Sequence, residues 1–353
     1  MGTTSGGTVR TRYDVVIVGC GPVGQTLAGL LGARGRTVGV FERHDDIYPL
    51  PRAVRLDGEA MRTFQEIGVA AAIADELHET TSYTWFGADG EVILDISIPL
   101  RHPGGWASSY VFHQPTTERA LVNKIHSMDT VSVHFGWEFE GFCEIGDGVV
   151  ARVRPTDSNA ATTDIDCLFL IGADGANSAV RNSAQIDWND LGFAEPWLVV
   201  DIVPHDMADF DHLPDASQFC DPSRPTTVVR NGNHRRRWEF MLLPGETPSD
   251  FAAEANMWAL LEGWVRPDQC TIERHAVYTF RSLLANETRR GSVLIAGDAA
   301  HLMPPFLGEG MCSGIRDAAN LAWKLDLVLQ GRSTAQLLDS YHAERAPVNP
   351  DYS

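Results

Sequence analysis

Basic residues are scarce in this chain. Its 353 residues include 28 Lys and Arg against 47 Asp and Glu, which gives a formal net charge of −19. An acidic surface repels phosphate groups, so we expect no nucleic acid among its partners. The same charge argues against binding to an anionic membrane surface.

Cysteine is also sparse, and its spacing shows no metal-binding pattern. The six cysteines are far apart, with no CxxC pair and none at metal-ligand spacing from a histidine. We therefore expect free thiols in a reducing compartment and no bound metal.

No stretch of the sequence has the continuity of a transmembrane helix. The uncharged residues 15–33 are numerous enough to span a bilayer, but Gly19, Gly21, Pro22 and Gly24 interrupt them. The first twelve residues are polar and lack the apolar centre of a signal peptide. These features predict a cytoplasmic protein that does not contact a membrane.

A glycine-rich turn near the N-terminus is the first motif that carries chemistry. Gly19, Gly21 and Gly24 form a GxGxxG pattern between the apolar run at residues 13–18 and a helical stretch. Such glycines permit a tight turn, a close approach of a pyrophosphate to the backbone, and close packing of helix on strand. Glu42 ends a second apolar run 23 residues after Gly19, where a carboxylate binds ribose hydroxyls. The pattern predicts a dinucleotide held by a β-α-β unit of a parallel sheet.

Two later turns also follow buried strand-like runs. Asp174 lies after the run at residues 166–171, and Asp298 lies after the run at residues 292–296. The second turn continues into a Pro- and Gly-rich loop ahead of a helix expected from about Gly314. Such a loop exposes backbone N–H groups that can approach a flat ring. Each turn alone is equally well explained as an ordinary Asp-Gly turn, but their order along the chain favours a cofactor site.

The residues between these motifs are mostly strand-like, although residues 118–127 are expected to form a helix. Residues 85–98 alternate and contain Asp89-Gly90, a hairpin signal, whereas the Pro- and Asp-rich residues 204–225 are expected to be loops. We predict a discontinuous cofactor-binding domain interrupted by a substrate-binding domain. The first comprises residues 12–83, 107–190 and 278–353, and the second comprises residues 84–106 and 191–277.

Together, the motifs resemble those of the class A flavoprotein aromatic hydroxylases, which carry a GxGxxG, a central DG and a late GD motif. The segment GDAAHLMPPFLGEGMCSGIRDAANLAWKL at residues 297–325 is close to the family pattern. With residues 197–202 and 236–246, the chain looks most similar to the hydroxyphenylpropionate hydroxylase branch, over residues 13–346. The resemblance implies an α/β fold: a Rossmann-like FAD-binding domain of the p-hydroxybenzoate hydroxylase type with an inserted, mainly β substrate domain.

The resemblance implies a monooxygenase that hydroxylates a phenolic substrate with NAD(P)H and O₂ through a flavin C4a-hydroperoxide. FAD would be bound and NAD(P)H transient, since the chain has a single β-α-β phosphate fingerprint. A homodimer is left open. Family members continue through further helices, so part of the family's C-terminal region is expected to be absent after Ser353. The alternatives are a flavin-dependent halogenase, whose WxWxIP signature does not occur here, and a non-catalytic flavoprotein.

Carried over position by position, the resemblance implies an FAD site. The pyrophosphate contacts Gly19, Gly21, Pro22 and Gly24, supported by Asp174; the adenosine ribose contacts Glu42 beside Arg43; Arg52, Gln114 and Asp298 flank the flavin or its ribityl chain; and Pro305, Gly308, Gly310 and Met311 approach the isoalloxazine ring.

The catalytic assignment concerns Asp57. Residues 56–58 resemble a stretch of the phenol hydroxylases in which the Asp acts on the phenol proton, but Asp57 is equally placed to cap a helix that begins at Gly58. Glu309 stands where the family usually has Gln, which predicts a negative charge near the flavin. Two alternatives are open for Tyr278 and Arg281: they contact the substrate, or they lie on the surface.

Overall fold

The computed structural model describes residues 12–157 and 160–346. Residues 1–11 and 347–353, which include most of the polar N-terminus and the end of the third predicted cofactor segment, lie outside the described residues. The helices are α1 (Pro22–Ala33), α2 (Gly58–Ile67), α3 (Ala70–Ile73), α4 (Gln114–His126), α5 (Ala179–Ser183), α6 (Glu254–Leu261), α7 (Gly310–Leu329) and α8 (Asp339–Arg345). The strands are β1 (Arg12–Val18), β2 (Val38–Glu42), β3 (Arg55–Asp57), β4 (His78–Glu79), β5 (Ser82–Phe86), β6 (Val92–Ser97), β7 (Ser109–Val111), β8 (Val131–Phe135), β9 (Trp137–Ile145), β10 (Gly148–Pro155), β11 (Thr163–Gly172), β12 (Trp188–Pro204), β13 (Ala216–Phe219), β14 (Thr226–Asn231), β15 (Arg235–Met241), β16 (Cys270–Ala285), β17 (Arg289–Arg290), β18 (Val293–Ile295) and β19 (His301–Leu302).

The first sheet carries the glycine-rich turn. Its main path runs β17-β18-β11-β1-β2-β8, and β1 pairs in parallel with both β2 and β11. Val15 and Ile17 of β1 pack in one apolar core with α1, whereas Val16 and Val18 pack in a second core. A strand buried on both faces has a continuous apolar sequence, which is why β1 shows no alternation. The predicted β-α-β unit is confirmed.

The second sheet, in the order β19-β16-β12-β15-β14-β13-β5-β6, has one packed face and one polar face. Trp238 and Phe240 of β15 join an apolar cluster with Leu261 of α6. Because strand side chains alternate between faces, Arg237 and Glu239 point to the opposite side. That opposite side carries the polar groups described below.

Three sequence-based expectations differ from the structure. Residues 204–225 are not all loop, because β13 pairs with β14 and β5 and so overrides the local Pro and Asp signals. The helix expected from Glu118 begins at Gln114, since a proline is favourable in its first turn. The helix expected from about Gly314 begins one turn earlier, at Gly310. Within the described ranges, none of the helices combines the length and apolarity needed to cross a membrane.

A buried ionic cluster joins three strands of the second sheet. Asp201 of β12 accepts hydrogen bonds from Arg237 Nε at 2.7 Å and forms an ion pair with Arg274 Nη2 at 2.6 Å. Arg237 also donates to the backbone oxygens of Pro51 and Arg52, each at 2.6 Å. The cluster therefore connects the sheet to a segment that precedes β3.

Asp201→Ala should strongly destabilise the protein. The substitution leaves two buried guanidinium groups without their carboxylate, and breaking a buried ion pair costs about 3–5 kcal/mol. Thermal unfolding should show a clear fall in Tm. Asp164→Ala is the control, because Asp164 is 61% exposed and its pair with Arg152 is longer, at 3.4 Å. Equal melting temperatures for the two variants would contradict this assignment.

Candidate functional site

A cavity of about 1000 Å³ is lined by residues from both large sheets. It brings together nearly all of the predicted cofactor-binding residues. Those that line it are Gly19, Gly21, Pro22, Glu42, Arg43, Arg52, Gln114, Asp174, Asp298, Pro305, Gly308, Gly310 and Met311. Two predicted residues, Gly24 and Asp57, lie outside its described lining.

The glycine-rich turn forms one end of the cavity. Gly19 has φ +99°, a conformation that favours glycine. A Cβ on Gly24 would lie 2.1 Å from the Gly19 oxygen, so Gly24 serves the packing of α1 on the turn rather than the cavity wall. No described atom lies within 4 Å of a Cβ built on Gly21, and no described side chain caps α1. The open backbone and uncapped helix start fit an anionic phosphate.

Glu42 is held at the carboxyl end of β2. Its Oε2 accepts a hydrogen bond from the Cys20 N–H at 2.8 Å, and its Oε1 accepts one from the His44 N–H at 3.0 Å. Burial raises the pKa of the Cys20 thiol, so this cysteine stays protonated and takes no part as a thiolate. The carboxylate of Glu42 is fixed beside the turn, where a sugar hydroxyl can reach it.

Gln114 orients the backbone that enters β3. Its Oε1 accepts hydrogen bonds from the Arg52 N–H at 3.0 Å and the Ala53 N–H at 2.6 Å. Its Nε2 donates to Glu118 Oε1 at 2.7 Å, and Gln25 Nε2 donates to Glu118 Oε2 at 3.2 Å. Sequence reasoning missed Glu118, although its position four residues after Gln114 places both on one helix face.

Burial raises the pKa of Glu118 to about 7, because the desolvation of its carboxylate outweighs the two amide donors. Glu118 also lines the cavity. The carboxyl is therefore divided between its neutral and charged forms near neutral pH.

Asp174 and Asp298, which lie in the two later turns, make different contacts. Asp174 accepts hydrogen bonds from Ser178 Oγ at 2.5 Å and the Ala179 N–H at 2.7 Å, so it holds its own turn. Asp298 is exposed to the cavity and, among the described residues, has no hydrogen-bond donor. Its carboxylate is available to a ligand.

Glu309 lies in the Pro- and Gly-rich loop, as the sequence indicates, but its charge is compensated. It forms ion pairs with Arg55 and, at 3.3 Å, with Arg316. Asp57, Glu309 and Cys312 come close enough together to hold a metal ion. The carboxylates pair with guanidinium groups, however, and burial raises the pKa of the Cys312 thiol to about 12. This arrangement favours an ion-pair network.

Asp57 has the geometry of a helix cap. Its Oδ1 accepts a hydrogen bond from the Ala60 N–H at 2.8 Å at the start of α2, and its Oδ2 pairs with Arg316. Both oxygens are engaged outside the cavity wall, which favours the capping alternative. The general-base role of Asp57 stays a prediction. Tyr278 and Arg281 do line the cavity.

Glu118→Gln should change how stability depends on pH. A carboxyl whose pKa is raised to about 7 on folding holds its proton longer than the unfolded chain does, so stability falls as pH rises from about 4.5 to about 7. The amide cannot ionise. Relative to wild type, the Tm of Glu118→Gln should therefore be higher at about pH 8 than at about pH 5.

Glu66→Gln is the control for this comparison, since Glu66 is half-exposed and pairs with Arg34 at the surface. Thermal melts at the two pH values measure the effect. A difference between Glu118→Gln and wild type that does not vary with pH would show that Glu118 is charged throughout.

Residues 12–352 match the FAD binding domain family. A probable NADH-specific resorcinol 4-hydroxylase of Rhodococcus jostii is 41% identical over 342 residues, 97% of this chain and 64% of that protein. A 3-(3-hydroxy-phenyl)propionate/3-hydroxycinnamic acid hydroxylase of Burkholderia vietnamiensis is 38% identical over 94% of this chain and 53% of that protein. The chain thus spans between half and two thirds of these relatives' length.

A solved structure shows the same fold. The p-nitrophenol 4-monooxygenase from Pseudomonas putida superposes with a TM-score of 0.87 at 24% identity, covering 98% of this chain and 87% of that one. The predicted α/β fold of the p-hydroxybenzoate hydroxylase type is confirmed. The names of the two curated relatives confirm the resemblance to aromatic hydroxylases. With the family match extending over nearly the whole sequence, the chain belongs to the FAD binding domain family.

Proposed function

We propose that this chain hydroxylates a phenol, using bound FAD with NAD(P)H and O₂ as co-substrates. The observation that carries the proposal is the cavity itself. It is lined by the glycine-rich turn, by the Pro- and Gly-rich loop and by the polar face of the second sheet. The names of the curated relatives support an aromatic substrate, with resorcinol the first compound to test.

The residues present fit FAD. The open turn at Gly21 and the start of α1 would hold the pyrophosphate, Glu42 the ribose, and Asp298 the ribityl hydroxyls. When bound, FAD supplies the electron transfer from NAD(P)H to O₂ and the oxygen transfer to the ring. The chain's own residues bind and orient the reactants and exclude water.

The predicted domain organisation is part of this proposal. Residues 12–83, 107–190 and 278–353 would form the FAD-binding domain, and residues 84–106 and 191–277 would form the substrate-binding domain. A cytoplasmic location and a homodimer also stay predictions. The hydroxylase names of the relatives favour this function over a halogenase or a non-catalytic flavoprotein.

Asp298→Ala should weaken FAD binding. Loss of a charged acceptor for hydroxyl groups costs about 1.5–3 kcal/mol, or about 10- to 100-fold in Kd. Titration of the apoprotein with FAD, followed by flavin fluorescence, measures the change. Asp268→Ala is the matched control, because Asp268 is 74% exposed and pairs with Arg266 at the surface. Unchanged FAD affinity in Asp298→Ala would remove Asp298 from the cofactor site.

NAD(P)H oxidation should be slow with enzyme alone and much faster with a suitable phenol, with hydroxylated product formed. The reason is that the chain has a single phosphate fingerprint, so the nicotinamide must dock transiently. Absorbance of NADH and NADPH, product analysis and peroxide determination over a panel of phenols make the test. If no phenol stimulates oxidation by the FAD-loaded protein, the hydroxylase proposal fails.

A further inference from the structure

The turn that carries Asp298 is held by a buried carboxylate to which neither the cofactor motifs nor the family resemblance gives a role. Asp317 lies on α7 and is completely buried. Its Oδ2 accepts hydrogen bonds from the Gly297 N–H at 3.0 Å and from His301 Nε2 at 2.6 Å. Gly297 directly precedes Asp298 and His301 lies three residues after it, so a single oxygen atom binds both ends of the turn.

The other oxygen of Asp317 is engaged by a different helix. Arg345 of α8 donates from Nε to Asp317 Oδ1 at 2.7 Å, and its Nη2 donates to the backbone oxygen of Ser313 at 3.3 Å. Burial opposes a charge on Asp317, but His301 and Arg345 outweigh it and hold the pKa of this carboxyl below its usual range. A buried, charged carboxylate with all of these donors forms strong hydrogen bonds and fixes the groups that it contacts.

Asp298 has no comparable support of its own. Among the described residues no donor reaches its carboxylate, and its side chain is exposed to the cavity. Its direction therefore depends on the backbone of residues 297–301. That backbone begins in the left-handed conformation at Gly297, with φ +60°, and continues as a short 3-10 turn. The contacts of Asp317 at both ends of this backbone thus determine where Asp298 points.

Asp317 also relates the turn to the Pro- and Gly-rich loop. It lies about two helical turns after Gly310, the first residue of α7, which lines the cavity. A Cβ on Gly314 would lie 3.1 Å from Gly297 Cα, so α7 and the turn pack backbone against backbone. The spacing between Asp298 and Gly310 is therefore fixed. A cofactor whose ribityl chain lies at the first residue and whose ring lies at the second requires such a spacing.

We infer that Asp317 is a positioning residue of the cofactor site: by binding both ends of the turn, it holds the carboxylate of Asp298 where that group receives the ribityl hydroxyls of FAD. The inference rests on the proposed function, in which Asp298 binds FAD. Asp317 is not among the described residues of the cavity lining, so it acts through Asp298. A carboxylate held in place before its ligand arrives needs less ordering on binding, so loss of the support weakens affinity.

A double-mutant cycle on FAD affinity, with Asp317→Asn and Asp298→Ala, tests the inference. Titration of each apoprotein with FAD, followed by flavin fluorescence, gives the Kd values. In the wild-type background, Asp317→Asn should raise the Kd by about 3- to 30-fold, which is part of the effect of removing the Asp298 carboxylate. In the Asp298→Ala background it should raise the Kd by less than about twofold, because the group that it positions is gone. A merely structural role would weaken FAD binding equally in both backgrounds.

His301 provides a second test that leaves Asp317 in place. Its Nδ1 has no hydrogen-bond partner within the described part of the chain, so His301→Leu removes the bond to Asp317 alone. This variant should bind FAD more weakly than wild type. His301→Gln supplies an amide that can donate to Asp317, and it should restore most of the affinity.

Asp326→Asn is the matched control for Asp317→Asn. Asp326 lies on the same helix and accepts a hydrogen bond from Arg36 Nε at 2.8 Å, with its side chain 13% exposed. It is absent from the described cavity lining. Its substitution should leave the Kd for FAD unchanged in both backgrounds.

Equal fold-changes from Asp317→Asn with and without the Asp298 carboxylate would overturn the inference. If Asp317→Asn fails to fold, the His301 variants decide: equal FAD affinity of His301→Leu, His301→Gln and wild type would overturn it. In either case weaker FAD binding by Asp298→Ala would leave the proposed cofactor site standing. Unchanged FAD affinity in Asp298→Ala would instead remove the part of the proposed function on which the inference rests, and the inference with it.

Discussion

The buried guanidinium of Arg237 is the contact on which the shape of the cavity depends. It is fixed to Asp201 within the second sheet and reaches out to two carbonyl oxygens in the segment before β3. The glycine-rich turn, the Gln114 side chain and the polar sheet face are thereby held around one space. A buried ion pair adds little net stability by itself, but removing a partner is costly, so the cluster fixes one arrangement.

Charge is distributed unevenly around this space. The carboxylate of Glu309 is compensated by Arg55 and Arg316, so a negative charge near the Pro- and Gly-rich loop does not stand alone. Glu239 pairs with Arg237 at 3.6 Å beside Asp201 and Arg274, so two carboxylates face two guanidinium groups. Glu118 accepts hydrogen bonds from the amide groups of Gln114 and Gln25, and burial raises its pKa to about 7.

Sequence patterns predicted the parts of the fold that are determined by residues close together in the chain. The turn from β1 to α1 and the parallel partner β2 follow from glycine spacing and apolar runs. The role of Asp57 could not be decided in this way, because a carboxylate before a helix has the same sequence signature whether it caps the helix or faces a substrate. Strand alternation places Arg237 and Glu239 on one face, but which face meets the cavity depends on packing between distant segments. β13 was not predicted, because it is stabilised by hydrogen bonds to β5 and β14, which are separate elements of the chain.

A crystal structure of the protein with FAD and resorcinol tests the account most directly. The distance to measure is that between the ribityl hydroxyl oxygens of FAD and the carboxylate of Asp298. The account predicts FAD extended from the turn at Gly21 to the loop at Gly310, with a ribityl hydroxyl at about 3 Å or less from Asp298. FAD bound outside the cavity, or with its ribityl chain away from Asp298, would contradict it.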